Sequence, residues 1–506
     1  AVNFAADVTF ADGADIITAS AGTSNFRAGV NAGNSIVSGG NYNVAVGDEA
    51  GTAITTGDYN TFVGYASGDA TNTGLDNTAV GGLALTSNTV GAYNVAIGQS
   101  ALHNNVDGSN SVAIGRLALY AQDPASAVDM YNVAVGYNAG TAVTTGIQNT
   151  LIGGLAGDTL NAANENVAIG YNALTNDLKG HRSVAIGTYT LAAQQFGSST
   201  NTYNVAIGYD AGNDVTTGIQ NTLIGGLAGD ALTTSNSNVA VGYEALSTAT
   251  TYSENTAIGY RALKVNAGGY YNTSVGHESM LANTDGTNNV AVGHDALKAN
   301  TTGASNIALG FQALATNTTA SNNVAIGKDA LLYNTTGTNN VGIGSASLDA
   351  NTTGDNNTGL GTNALGANTT AEANTAVGVN ALLVNTTGAY NTAVGMSSLD
   401  ANTTGTRNDA LGYQAGTALT TGSYNTFIGE RAGSATTTAS ENVAVGSASF
   451  SANTTGTACV AIGKNALAAN TTAANNTAVG KDAMVANTTG HSGVAIGKDA
   501  LAANTT

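Results

Sequence analysis

The 506-residue chain predicts an all-β fold, a parallel β-solenoid of about 27 coils. Three observations carry the solenoid. A tetrapeptide of the form V-A-I-G returns every 17 residues between Gly47 and Gly497, except for steps of 21 from Gly115 to Gly136 and from Gly187 to Gly208. The residue before that glycine is Val, Ile or Leu in all 27 units, the residue two positions earlier is mostly Val or Thr, and Ala usually stands between them. Such alternation marks a strand. Finally, Asn precedes the tetrapeptide in 23 units, the exceptions being Ser111, Ser183, Cys459 and Gly493. Seventeen residues is too short for a helix pair or a propeller blade, but it suits one solenoid coil with two short strands and two turns.

Residues 1–40 depart from the pattern. Val2, Phe4, Val8 and Phe10 alternate ahead of turn signals at Asp12-Gly13 and Ala21-Gly22. This segment is expected to cap the first coil or connect to it, since a solenoid end exposes an open edge. Residues 41–506 form the repeat shaft. The two long steps carry insert loops near 116–132, with the only proline, Pro124, and near 188–204. Because GIQNTLIGGLAGD occurs at both 146–158 and 218–230, a four-unit block reads as duplicated whole.

Within a coil the strand is expected to turn its Val, Thr and Ile residues inward. A second apolar pair follows, such as Ala330-Leu331 or Ala466-Leu467, and then an N-T-T-G turn. In three units the Leu of that pair becomes Gly140, Gly212 or Gly416, and Val143, Val215 or Leu419 appears three residues later. The exchange predicts one core hole filled from two alternative points on the coil. The Asn before each strand suits a left-handed turn and a stacked amide ladder. The small residues Ala45, Ala79, Ala96, Ala257, Ala376 and Ala461, with the neighbouring glycines, would then line an outer stripe along which a second chain packs closely.

Composition excludes several functions. Net charge is −19, and only 9 % of residues are charged, which disfavours nucleic acid and anionic membrane as partners. One cysteine, Cys459, allows neither an internal disulfide nor a multi-cysteine metal site. No apolar run approaches the roughly 18 residues of a membrane span. The chain opens on Ala1 and stops inside the repeated phrase, as a piece or processed form of something longer would.

The sequence designates no catalytic, cofactor-binding or metal residue. His103, His181 and His491 are scattered. His277 and His294 share one position on adjacent coils, followed by Glu278 and Asp295, which together could hold a metal ion. Adjacent strand residues point to opposite faces, so a surface role is the expectation for all four. Acids recur two residues after the glycine at Asp210, Asp329, Asp482 and Asp499. A two-carboxylate glycosidase site is conceivable there, but Lys328, Lys481 and Lys498 precede three of them, as on a solvated edge. The consecutive threonines of N-T-T-G should diverge, unlike the flat rows that match ice.

The phrases NNVAIGKDALLYNTTG (322–337) and NTAVGMSSLDANTTG (391–405) resemble the head repeats of trimeric autotransporter adhesins. They are also similar to the N-T-A-V-G-x-x-A-L-x-x-N-T-T-G arrays of viral tail fibres and of fibre-like proteins from aquatic bacteria. The likeness covers nearly the whole chain after residue 40, although the N-T-T-G turn makes the unit longer than the adhesin repeat. It implies a left-handed β-roll of three chains that presents or forms a host-binding surface, with a host or cell-surface receptor such as a glycan as partner. The expected place is extracellular, on a virion surface, or alternatively on a microbial cell as an adhesin or filament. A tailspike-type enzyme is the third and least favoured reading.

Overall fold

A computed structural model describes residues 20–506, so the alternating stretch Val2–Phe10 lies outside the described residues. The chain divides into two compact units, one ending at Ser237 and one running from Asn238 to Thr506. Both are parallel β-solenoids, and neither contains a helix among the described residues.

Each coil contributes one strand of three residues, where the sequence predicts two. In the first unit these run from Phe26–Ala28 to Thr222–Ile224, in the second from Val239–Val241 to Val494–Ile496. Within each unit neighbouring strands pair in register from one coil to the next, as Val95↔Val112 in the first and Val324↔Val341 in the second. Stacking already includes Phe26–Ala28, which pairs with Val44–Val46. The inserts do more than bulge. Val128–Asp129 returns to pair with Gly108–Ser109, and Thr200–Asn201 with Gly180–His181.

The remaining apolar pair sits in a turn. Asp329 and Leu331 both adopt left-handed backbone, φ 57° and 51°, so the chain curls too tightly there for a second strand. At the strand's end Gly327 has φ 135°, and a Cβ there would stand 2.6 Å from the carbonyl oxygen of Gly344 on the next coil. Only glycine allows that approach, which explains why this position never varies.

The strand faces the opposite way from the sequence expectation. The middle alanines, Ala45, Ala79, Ala96, Ala257, Ala376 and Ala461, are fully buried, and the flanking Val, Thr, Ile and Leu residues face outward. The Ala stripe is therefore interior and cannot be a chain-packing surface. The reason is volume. Leu331 is fully buried and crosses the coil towards the next strand, where a Cβ at Gly342 would stand only 3.3 Å from its Cγ. With leucine filling the lumen from the turn, the strand has room for little more than a methyl group.

Four coils invert this division. Their middle residues are Phe62, Leu151, Leu223 and Phe427, all fully buried. On each of those coils, and on the one before it, the leucine is replaced by glycine: Gly51 and Gly68, Gly140 and Gly157, Gly212 and Gly229, Gly416 and Gly433. Cβ atoms at Gly416 and Gly433 would lie 2.7 and 2.5 Å from the Phe427 ring. One large strand residue thus occupies two leucine slots. The exchange read from Val143, Val215 and Leu419 is real, since all three are fully buried, but it is half of a larger substitution.

Two amide ladders complete the interior. Asn357 donates its backbone N–H and its Nδ2 to Oδ1 of Asn340, at 2.9 and 3.2 Å, and its Nδ2 also reaches the carbonyl of Ala371 at 2.8 Å. A second ladder, beside the first and sharing its carbonyl acceptors, uses the Asn of N-T-T-G. Asn334 donates Nδ2 to Asn317 Oδ1 at 3.0 Å and to the Gly337 carbonyl at 2.9 Å, and accepts from Asn351 at 2.8 Å. In the insert coils Ser111 and Ser183 shorten the first ladder, and Gln122 and Gln194 lengthen the second to compensate. Gln122 donates Nε2 to Asn105 and Ser111, both at 3.0 Å, and accepts from Asn132 at 2.9 Å. Buried amides satisfied on this scale tie each coil to its neighbours.

Candidate functional site

Two surface features follow from the coil geometry. The first is the outward strand face. Its third column, with Val80, Ile97, Ile114 and Ile152 in the first unit and Ile258, Val292, Ile326 and Leu411 in the second, exposes between 36 and 50 % of each of these side chains. Beside it stands the half-buried Val/Thr column. This is an apolar sheet face with nothing over it among the described residues of a single chain.

The second feature lies just past the strand, at the residue following the marker glycine. There Tyr243, Tyr260, His277, His294 and Phe311 stack over consecutive coils with centroids 4.7–5.9 Å apart. His277 and His294 are nearly parallel, 4° apart at 4.7 Å. Arg261 lies 5.0 Å over the Tyr260 ring. Beside the stack runs a row of charges: Glu244 binds Arg261 at 2.7 Å and Lys264 at 2.5 Å, while Lys298 binds Glu278 at 2.6 Å and Asp295 at 3.1 Å. The bond from Lys298 holds the Glu278 carboxyl below its ordinary range. The stack was legible as an aromatic run at one repeat position; Lys298 carried no such signal.

Of the four residues considered for a metal, three come together. Ligand atoms of His277, His294 and Asp295 all lie within 4.8 Å of one another. Glu278 instead neutralises Lys298. The opposite-face argument fails for Asp295 because it is in a turn, not a strand. Its left-handed φ of 58° brings the carboxylate back to His294, with Nδ1 and Oδ2 3.2 Å apart.

The other acids behave as edge charges. Lys328 pairs with Asp329, Lys481 with Asp482 at 2.7 Å, and Lys498 with Asp499 at 3.4 Å. Asp210 contributes to raising Asp230, whose pKa burial and then the nearby Asp214 push up to about 6. His181 and His491 serve the backbone: each accepts, through Nδ1, the N–H of the residue 17 positions earlier, Asn164 or Ala474, at 2.9 Å. Asn164 and Ser321 do the same for Ile147 and Ala304. With Nδ1 committed as acceptor, His181 donates Nε2–H to Ser199 Oγ at 2.7 Å, so it cannot take that hydroxyl's proton. The first threonine of N-T-T-G also has a structural role, since Thr335 donates to the Thr352 carbonyl at 3.0 Å. Burial raises the Cys459 thiol pKa. No helix among the described residues is long and apolar enough to cross a membrane.

No protein-family model matches this chain, and no curated protein matches it either.

Proposed function

We propose that the chain is the shaft of a structural attachment fibre, three copies packed side by side through their outward strand faces. The uncovered Val/Ile/Leu columns carry this reading. A soluble single chain rarely leaves so long an apolar stripe in water. The sixteen strands from Val239–Val241 to Val494–Ile496 present this face coil after coil, as an extended interface with further copies would require. The occupant is a further copy of the same chain. Equivalent residues stand one strand spacing apart on every copy, so parallel chains present matching columns along their length.

The role is mechanical: stacked coils hold or form a binding surface at a distance from an anchor, outside the cell. A virion tail fibre is the preferred setting, with a host receptor such as a glycan as the far partner. A microbial surface adhesin is the second reading, and the resemblance of the V-A-I-G units to adhesin heads favours it. The His181–Ser199 geometry speaks against a nucleophilic enzyme. Negatively stained particles of the purified chain test the shaft: straight rods of one length and width are expected, and globules or flexible strings would sink the idea.

A further inference from the structure

The geometry points to a binding site for a divalent first-row transition ion, of the Zn²⁺ class, at His277, His294 and Asp295. Two imidazoles and one carboxylate form a borderline-soft donor set that suits such ions, and water can complete the coordination at an exposed site. Tetrahedral zinc with bonds of about 2.0–2.1 Å requires neighbouring donor atoms about 3.3 Å apart. One edge already has that length: Nδ1 of His294 and Oδ2 of Asp295 are 3.2 Å apart. The third donor, on His277, lies within 4.8 Å of both. Closing the triangle therefore needs the exposed His277 ring to tilt out of its parallel stack with His294 and bring its donor inward by about 1.5 Å.

Asp295 is mostly buried, and its position is fixed from the other side. Lys298 holds its Oδ1 at 3.1 Å, leaving Oδ2 directed at His294. Lys298 does not have to leave when an ion arrives, because Glu278 anchors it at 2.6 Å. Glu278 and Lys298 thus orient the carboxylate, as outer partners of metal ligands commonly do. The ion would join the coils that begin at Gly276 and Gly293. Among the described residues no other group of three His, Cys, Asp or Glu side chains converges this closely.

The competing role for both histidines is as rings in the Tyr243–Phe311 stack, and the test separates the two. Zinc chloride is titrated calorimetrically at pH 7.5 into the full chain and into a His277→Phe, His294→Phe double variant, which keeps the stack between Tyr260 and Phe311. The wild type is expected to bind one equivalent per chain more than the double variant. Asp295→Asn, which removes a ligand, should weaken that equivalent at least as much as the roughly 10- to 100-fold typical of losing an outer partner, and lowering the pH to 5.5 should release it, since protons compete for imidazole. Unchanged far-ultraviolet spectra and unchanged solution mass confirm that the variants fold and assemble alike. Equal zinc uptake by wild type and double variant, including no uptake by either, would overturn the site.

Discussion

The division of the core between strand and turn makes a quantitative prediction at Phe427. Its ring is fully buried and fills the slots that leucine occupies elsewhere, beside Gly416 and Gly433. Phe427→Ala should cost about 3–5 kcal/mol through lost transfer energy and the cavity left behind. Gly433→Ala alone forces a Cβ to within 2.5 Å of the ring at φ 62°. Overpacking of this kind costs about 1–3 kcal/mol, and left-handed backbone roughly 1 kcal/mol more. With Phe427 already truncated, the overpacking disappears and the new methyl group fills part of the hole. The two changes should therefore couple favourably by about 1–3 kcal/mol. Replacing Phe427 by Ala together with Gly416→Leu and Gly433→Leu rebuilds the arrangement around Ala325, where Leu331 accepts φ 51°, and should recover most of the loss. A repeat array does not unfold as one two-state unit, so the assay is hydrogen exchange of peptides spanning 410–446. Phe427→Ala should speed exchange there roughly 100- to 3,000-fold. Strictly additive effects of Phe427→Ala and Gly433→Ala would refute the shared-slot account.

Two further outcomes follow. Asn334→Ala removes three hydrogen bonds and leaves Asn317 Oδ1 and one Asn351 donor short of partners, while the Gly337 carbonyl keeps Asn323, for a local loss of about 2–4 kcal/mol seen as faster exchange in the flanking coils. The folded-state pKa of Asp230, about 6, lies above its unfolded value, about 3.9. The native state therefore binds the extra proton, and stability falls as pH rises from about 4 through 6. Asp230→Asn should stabilise its coil at pH 8 by about 1 kcal/mol after allowing for the half-exposed carboxyl, seen as slower hydrogen exchange there than in the wild type at the same pH, and change it little at pH 4.

Much of the coil was legible in the sequence. The 17-residue spacing fixed the parallel register, because only in-register stacking places Asn on Asn and glycine on glycine. The facing of the strand was not, since Val-Ala-Ile is apolar on both sides and alternation alone does not say which side is in. Leu331 and its equivalents decide it by filling the lumen, and the pairing of Phe62, Leu151, Leu223 and Phe427 with flanking glycines was the available clue. The meeting of His294 with Asp295 was hidden for another reason. It depends on left-handed backbone at non-glycine residues, which residue type signals only weakly.

The assembly through the outward face is tested most directly by sedimentation equilibrium of the purified chain. A mass of three times 49.6 kDa is expected, shifting towards a single chain when Ile258, Ile326, Ile428 and Ile462 are replaced by Lys. A wild-type chain that sediments at 49.6 kDa would contradict the account and return the Val/Ile/Leu columns to solvent.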